Sequence, residues 1–176
     1  MKTTKQAILM VWLIVVGLWS DAVYGDFRTD RISEAIAAQI EAGLDAYKIG
    51  DYATALKQWK PLAEQGHAKA QSALGRLHNN GNGVIQDYEE ALKWYRLASE
   101  QGYAQAQHAI GWLYANGKGV IRDYVKAHMW WNISASLGYK KAAEDRTRVE
   151  KRMVYEQIKE AQKMARECVE RNYKGC

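Results

Sequence analysis

A 36-residue repeat is the feature that most limits what this chain can fold into. Three segments align without gaps and begin at Asp51, Asp87 and Asp123. They read DYATALKQWKPLAEQGHAKAQSALG, DYEEALKWYRLASEQGYAQAQHAIG and DYVKAHMWWNISASLGYKKAAEDR. The first two units also share a loop pattern, NGNGVI from Asn80 and NGKGVI from Asn116. Because a fixed period of this length is typical of repeat folds, the chain is predicted to stack similar units.

Each unit is predicted to contain two helices. An aspartate opens the unit, where a helix N-cap needs a side-chain acceptor, and Gly66, Gly102 and Gly138 stand where a left-handed cap would end the first helix. Apolar residues of the second helix keep the i, i+3, i+4, i+7 spacing of one buried stripe. They are Ala70, Ala73, Leu74 and Leu77 in one unit, and Ala106, Ala109, Ile110 and Leu113 in the next. With a single proline among 176 residues, the predicted fold class is an all-α solenoid.

The first 25 residues have the pattern of a secretory signal peptide. Lys2 and Lys5 precede an uncharged run over residues 7–19, and small residues precede a predicted cleavage site after Gly25. As a helix this run would rise about 20 Å, which is short of the roughly 30 Å hydrocarbon core of a bilayer. Cleavage is therefore favoured over an uncleaved anchor. We expect a periplasmic or secreted product that begins at Asp26 and has no integral membrane span.

The repeated residues carry a resemblance to a known family. The pattern A-x-A-Q-x-x-L/I-G, then N-G-x-G-V, then D-Y-x-x-A-L-x-W-Y resembles the Sel-one-like repeat (SLR), a relative of the tetratricopeptide repeat. It covers roughly residues 40–149, and the segment GLDAYKIGDY from Gly43 is similar to the plain tetratricopeptide version, which lacks the glycine loop. The resemblance implies a right-handed α-solenoid of stacked antiparallel helix pairs. It also implies binding and not catalysis.

The repeat phase divides the chain into six predicted segments. A signal peptide covers residues 1–25, and an N-terminal capping helix with a tetratricopeptide-like half repeat covers residues 26–50. Repeats follow at 51–86, 87–122 and 123–153, the last of them degenerate because Asp145 and Arg146 stand where the second repeat has Ala109 and Ile110. Such polar residues are predicted to face water at the end of the stack. A C-terminal capping helix and a cysteine tail cover residues 154–176.

The sequence offers little that predicts catalysis. His67, His78, His108 and His128 fall at four different positions of the repeat, whereas a catalytic or metal site needs several such side chains together. No H-x-x-x-H, G-x-S-x-G or phosphate-loop pattern is present. We therefore expect no enzyme activity, no metal and no cofactor. The alternative is an envelope hydrolase with weak β-lactamase or peptidoglycan activity.

The two cysteines, Cys168 and Cys176, lie close to the C-terminus. Because an exported protein meets an oxidising compartment, a disulfide between them is favoured over two free thiols or an intermolecular link. By resemblance, cysteine-rich members of the family carry a pair within each repeat. This chain carries none there, which weakens any transfer of the penicillin-binding activity suggested for those relatives.

The charge of the chain is uneven, with a formal net charge of +5. Apart from the leader, the excess of basic over acidic residues lies from Tyr139 onward. Export makes nucleic acid an improbable partner, whereas an acidic protein, an anionic lipid or a cell-wall polymer would suit a basic face. A solvated helical surface without a partner is the equally weighted alternative.

A partner is predicted to bind the concave face, which by resemblance is lined by the helix that ends in the glycine loop. The exposed positions of that helix in successive repeats are Lys69, Ser72 and Arg76, then Gln105, His108 and Trp112, then Lys141 and Arg148. Trp112 replaces Arg76 at the equivalent position, so the repeat itself does not require tryptophan there. Trp112 is either an interface hot spot or packs against the next repeat.

These observations lead to one functional prediction with two alternatives. The chain is predicted to be an exported adaptor that holds another protein or a peptide, of acidic character, on its concave face. The alternatives are the envelope hydrolase and a secreted factor that acts on a host cell.

Overall fold

The computed structural model describes residues 29–176. The predicted signal peptide and its cleavage site after Gly25 lie outside these residues. The chain divides into two compact units, residues 1–39 and residues 40–176, and the second contains all three repeats. The described residues of the first unit are helical. None of the helices in the described range has the length and apolar character needed to cross a membrane.

Eight helices and no strands make up residues 29–176, and they form the predicted right-handed α-solenoid. Helix α1 covers residues 29–48, of which 40–48 belong to the second unit. The others are α2 (Tyr52–Glu64), α3 (Ala68–Asn80), α4 (Tyr88–Ser99), α5 (Ala104–Asn116), α6 (Tyr124–Ser136), α7 (Lys140–Glu150) and α8 (Tyr155–Glu170). Each helix from α2 to α6 packs against the next in the chain, and α8 packs against α6. This is the nearest-neighbour packing of a solenoid.

The three repeat aspartates act as N-caps, as the sequence predicts. The Asp51, Asp87 and Asp123 carboxylates accept hydrogen bonds from backbone N–H groups three residues later, at 3.0, 2.9 and 3.0 Å. Each bond satisfies a donor that the first helical turn leaves free. The caps therefore fix where α2, α4 and α6 begin.

In three helix pairs a glycine of one helix faces an aromatic ring of the other, and this contact sets how closely the two helices approach. A Cβ atom on Gly43 would lie 2.2 Å from the Trp59 ring, and one on Gly111 would lie 2.6 Å from the Trp131 ring. Gly75 faces Tyr95 in the same way. The indole N–H groups of Trp59 and Trp131 donate to the carbonyls of Ile40 and His108, both at 3.0 Å. Three successive helix pairs thus use one packing rule, in which a large ring occupies the space that a side chain would fill.

The repeated glutamine of the A-x-A-Q pattern has a structural role. Gln71 and Gln107 are buried, and their amide groups donate to the carbonyls of Ala63 and Ser99 at 3.2 and 3.3 Å. These carbonyls lie at the ends of α2 and α4, where helices leave acceptors without partners. Each glutamine therefore ties a helix to the end of the preceding one.

The glycine loops need glycine for two reasons. Gly83 and Gly119 have φ values of 71° and 65°, in the left-handed region that side chains rarely adopt. A Cβ atom on either would also lie within 3.0 Å of the start of a preceding helix, at Tyr52 or Tyr88. The second glycine of each N-G-x-G loop thus allows the loop to rest on the previous repeat.

The prediction that the polar residues of the third repeat face water is wrong for Asp145. Asp145 was expected to face water, but it is buried because α7 places its carboxylate against His108 of α5 and Arg148. Arg146 is half-buried and donates to Asn132 Oδ1 at 2.7 Å. The polar residues of the third repeat therefore pair with polar side chains of the stack. In the structure Cys168, which is fully buried, and Cys176 form a disulfide that closes the tail after α8.

Candidate binding surface

Two neighbouring cavities open along the surface formed by α3, α5 and α7, which we call the α3/α5/α7 face. The first has a volume of about 460 Å³. Its lining combines two cations with aromatic and small polar side chains: Ile40, Leu44, Trp59, Lys69, Ser72, Ala73, Arg76, Tyr95, Tyr103, Gln105, Ala109 and Tyr139. The second has a volume of about 240 Å³ and is lined by Trp112, Ala115, Asn116, Tyr124, Trp131, Asp145, Arg148, Val149 and Arg152. Helix α5 borders both cavities.

Arg76 is the central cation of the first cavity. Its guanidinium carbon lies 4.1 Å from the centroid of the Tyr47 ring and 5.8 Å from that of Trp59. Such stacking holds a guanidinium in a fixed plane. Among the described residues no carboxylate forms an ion pair with Arg76, and its buried Nε has no hydrogen-bond partner. The cavity therefore contains an oriented positive charge with free hydrogen-bonding capacity.

Lys69 supplies a second cation at the rim of this cavity. Its ammonium lies 2.6 Å from Glu41 Oε1, and both side chains are about half exposed to solvent. An ion pair this exposed is worth little, because water and salt screen it. Lys69 is thus available to an incoming anion at small cost.

Two phenols of the first cavity, those of Tyr95 and Tyr103, are neutral donors. Burial raises the pKa of Tyr95 and of Tyr103, while the positive charge of Arg76 lowers the pKa of both and Lys69 also lowers that of Tyr103. The hydroxyl of Tyr103 donates to Gln105 Oε1. Tyr95 is almost fully buried and Tyr139 is half-buried. The wall around Arg76 is consequently aromatic and partly buried, and burial strengthens electrostatic interactions.

The second cavity is centred on an aromatic residue. Trp112 is 37% exposed, an unusual level for so large an apolar side chain. Arg152 donates from Nη1 to the Tyr124 hydroxyl at 3.2 Å, and Arg148 donates to Asp145 Oδ1 at 2.7 Å. The cations of this cavity therefore have partners, whereas the edge and face of the indole remain accessible.

A polar triad of His108, Asp145 and Arg148 lies beside the second cavity, which Asp145 and Arg148 line. His108 Nε2 and Asp145 Oδ2 are 2.8 Å apart, and Asp145 accepts from Arg148 through its other oxygen. The His108 ring also contacts the rings of Trp131 and Tyr139, with centroids 6.2 and 5.1 Å away. The triad joins α5 to α7 and holds the floor of the face together.

The structure distributes the eight predicted binding residues over this face. Lys69, Ser72, Arg76 and Gln105 line the first cavity, and Trp112 and Arg148 line the second. His108 is nearly buried in the polar triad, and Lys141 is exposed but lines neither cavity.

Sequence reasoning missed the aromatic wall, formed by Tyr47, Trp59, Tyr95, Tyr103 and Tyr139. Part of this wall could have been predicted from the sequence. Tyr103 and Tyr139 are spaced by one repeat, each directly before a second helix. Tyr47 has no equivalent tyrosine in the later repeats, and only the fold brings it onto Arg76.

Two histidines of the described residues, His108 and His128, are engaged with carboxylates. His108 and His128 each pair with one carboxylate, Asp145 and Glu150, and within this range no hydrogen bond joins either imidazole to a serine, threonine or cysteine. The same part of the chain holds no group of three His, Cys, Asp or Glu side chains placed to bind a metal. Burial of His128 lowers its pKa, since its charged form would lie in the core, and the hydrogen bond to Glu150 only partly opposes this.

The repeats match a known family. Residues 68–103 and residues 104–139 each match the Sel1 repeat. The chain contains two Sel1 repeats. Each match begins at the helix that ends in the glycine loop, so one Sel1 repeat comprises α3 and α4 and the other α5 and α6.

Solved structures of Sel1 repeat proteins resemble this one. One is a protective antigen present in uropathogenic Escherichia coli strains that displays an SLR fold; it is 28% identical, with a TM-score of 0.73 over 78% of this chain and 31% of the antigen. Another is a Sel1 repeat protein from Oxalobacter formigenes, also 28% identical, with a TM-score of 0.60 over 73% of this chain and 55% of that protein. The chain thus spans less than two thirds of either. No curated protein sequence matches it.

The Sel1 repeats confirm the predicted resemblance and the fold class. Proteins with these repeats generally mediate protein–protein interaction, and their fold is typically a non-enzymatic scaffold.

Proposed function

We propose that this protein is an exported adaptor that binds an acidic segment of another protein on the α3/α5/α7 face. The observation that carries the proposal is Arg76, a stacked guanidinium that lines a cavity open to solvent and has no carboxylate partner within residues 29–176. A cation held in this way is suited to a carboxylate, because its orientation is fixed before binding and its charge has no partner in the described part of the chain.

Export is supported by the leader alone. Lys2 and Lys5 precede an apolar run too short to span a bilayer, and small residues precede the proposed cleavage point after Gly25. The similar Escherichia coli protein is described as a protective antigen, which is compatible with exposure outside the cytoplasm. N-terminal sequencing of the processed chain tests this part, with Asp26 expected as the first residue. Recovery from periplasm or from culture medium separates a resident adaptor from a secreted factor that acts on a host cell.

Site-specific photo-crosslinking in cells tests the binding surface. A benzophenone amino acid placed at Ser72 or Trp112 on the face is compared with one at Glu89, an exposed residue at the start of α4. We expect one discrete adduct from the two face positions and none from Glu89, and mass spectrometry then identifies the partner. Adducts from Glu89 alone, or equal labelling at all three positions, would refute binding on this face.

Hydrolysis is tested separately. Purified protein is incubated with a chromogenic β-lactam and with labelled peptidoglycan, with heat-denatured protein as the control. We expect no turnover above that control, because neither buried histidine contacts a nucleophile in the described residues. Turnover that is lost on substitution of His108 would make the hydrolase the better account.

A further inference from the structure

We propose that Arg76 and Trp112 together set the sequence pattern of the partner: an extended segment places a side-chain carboxylate on Arg76 in the first cavity and an apolar side chain, about three residues away, against Trp112 in the second. This inference rests on the proposed function, because it assumes a protein segment on the α3/α5/α7 face. It goes further in assigning a chemical class to each cavity and a distance between them.

The two residues occupy equivalent positions of consecutive repeats. Arg76 in α3, Trp112 in α5 and Arg148 in α7 are spaced by 36 residues each. The solenoid places equivalent residues in a row, so these three side chains form a series of cation, aromatic ring and cation along the face. A chain lying across the face meets them in that order.

The carboxylate site is assigned to Arg76 because the other cation of the series is already paired. Arg148 donates to Asp145, which also binds His108, and the Arg148 side chain is 73% exposed. Arg76 has no carboxylate partner in the described residues, and its plane is held by Tyr47. A planar guanidinium binds a carboxylate through two parallel hydrogen bonds, which a screened surface charge does not match in strength.

The remaining lining of the first cavity also suits a carboxylate. Lys69 at the rim adds a second positive charge, and Glu41, its exposed partner, is released easily. The hydroxyl groups of Ser72 and Tyr139 are hydrogen-bond donors on the same wall. No carboxylate is part of that wall.

The apolar site is assigned to Trp112 because its cavity holds no unpaired charge. Ala115 and Val149 line this cavity together with the indole, while Asp145, Arg148 and Arg152 have partners within the chain. A partly exposed tryptophan beside arginines is typical of residues that dominate binding energy. An aliphatic side chain of the partner would bury the exposed indole face.

The distance follows from helix packing. Gln105 and Ala109 of α5 line the first cavity together with Lys69 and Arg76 of α3, so equivalent helices of consecutive repeats border one cavity. A spacing of about 10 Å, the upper value for neighbouring helix axes, corresponds to about three residues of an extended chain, which advances about 3.3 Å per residue. The carboxylate and the apolar side chain are therefore about three residues apart in an extended segment, against about seven in a helix.

Synthetic peptides test the pattern directly. Short fluorescent peptides of Gly, Ser and Ala carry one Glu and one Leu that are adjacent, about three residues apart or about seven apart, in both orders. Each is made with a free and with an amidated C-terminus, and binding is measured by fluorescence anisotropy. We expect the three-residue spacing to bind most tightly, and amidation to leave its affinity unchanged because the ligand is the side chain. Tightest binding at seven residues, or loss of binding on amidation, would overturn the inference.

Substitutions then assign each cavity. We expect Arg76→Gln to weaken the best peptide about tenfold or more and Trp112→Ala to weaken it similarly. The control is Arg166→Gln, at an exposed arginine of α8 that lines neither cavity, and it is expected to change the affinity less than threefold, about 0.6 kcal/mol. Arg76→Glu is expected to prefer the matching peptide with Lys in place of Glu. Circular dichroism confirms that each variant is folded. Failure of the charge swap with folded protein would refute the assignment of Arg76.

The experiments distinguish failure of the peptide pattern from failure of the proposed adaptor function. If crosslinking captures a partner on the face but its contact segment has no such acid and apolar pair, the adaptor function stands and the pattern is wrong. If peptides bind as described but no protein is captured at Ser72 or Trp112, the pattern stands and the adaptor function is wrong.

Discussion

In α5 the residues after His108 are Ala109 and Ile110, whereas the equivalent positions of α7 hold Asp145 and Arg146. Ile110 is fully buried among apolar side chains. Its equivalent, Arg146, is half-buried and donates to Asn132, while Asp145, the equivalent of Ala109, is buried through hydrogen bonds to His108 and Arg148. The same two repeat positions are therefore filled by apolar side chains in the middle of the solenoid and by paired polar groups near its C-terminal end.

A second pair of positions differs in the same way. Leu92 in α4 and Tyr114 in α5 correspond to His128 in α6 and Glu150 in α7, and the latter two are joined by a 2.8 Å hydrogen bond. Apolar packing tolerates many neighbours, whereas a buried hydrogen-bonded pair requires one partner in one orientation. The C-terminal region is thus more specific in its contacts and more sensitive to pH.

The largest expected effect comes from moving a residue of α7 into α5. Ile110→Arg places a guanidinium in the apolar core with no partner, and its cost is comparable to a whole-domain stability of about 5–15 kcal/mol. We expect no folded protein by circular dichroism, whereas Ile110→Val costs about 0.5–1.5 kcal/mol. The reverse change, Arg146→Ile, is expected to alter stability by less than about 1 kcal/mol in urea unfolding. A folded Ile110→Arg would mean that the two regions are interchangeable.

A smaller effect is expected at the glycine–aromatic contact. A Cβ atom added by Gly111→Ala lies 2.6 Å from the Trp131 ring and strains the packing by about 1–3 kcal/mol, of which better helix propensity recovers up to about 1 kcal/mol. The equivalent residue of α7 is Thr147, which is exposed, so Thr147→Ala is the matched control and should stay within about 0.5 kcal/mol. Chemical denaturation measures both. In a Gly111→Ala, Trp131→Leu double variant the costs should be less than additive; additive costs would contradict the contact.

The smallest expected effect is a pH dependence confined to the C-terminal region. Burial lowers the pKa of His128 below its ordinary value of 6.5, so the folded protein binds fewer protons than the unfolded chain below about pH 6.5. The free energy of unfolding contributed by this group therefore falls as pH falls, by at most about 1.4 kcal/mol per pH unit. Glu150 and Arg146 are the charged groups that act on it.

The control for this prediction is His128→Leu, which restores the leucine of the first two repeats at that position. Urea unfolding between pH 5 and pH 7 should show a shallower pH dependence in the variant than in the natural protein. Identical slopes in the two proteins would show that His128 does not carry the effect.

Most of the fold could be predicted from the 36-residue repeat in the sequence. Helix pairs, N-caps and the buried stripe follow from the 36-residue period, because each unit must meet its neighbour through the same positions. Six of the eight predicted surface residues line the two cavities for the same reason. The polar end was misjudged because Asp145 and Arg146 are charged, and their burial depends on partners in other helices.

By itself, then, the sequence determined the number of helix pairs, their boundaries and the face on which Arg76 and Trp112 lie, since these properties are local and periodic. The tertiary structure alone decided which side chains meet across repeats. Tyr47 against Arg76, His108 against Asp145 and His128 against Glu150 are contacts between residues at least 22 positions apart. No period or local pattern encodes such pairs, because they depend on how side chains of different helices fill one shared space.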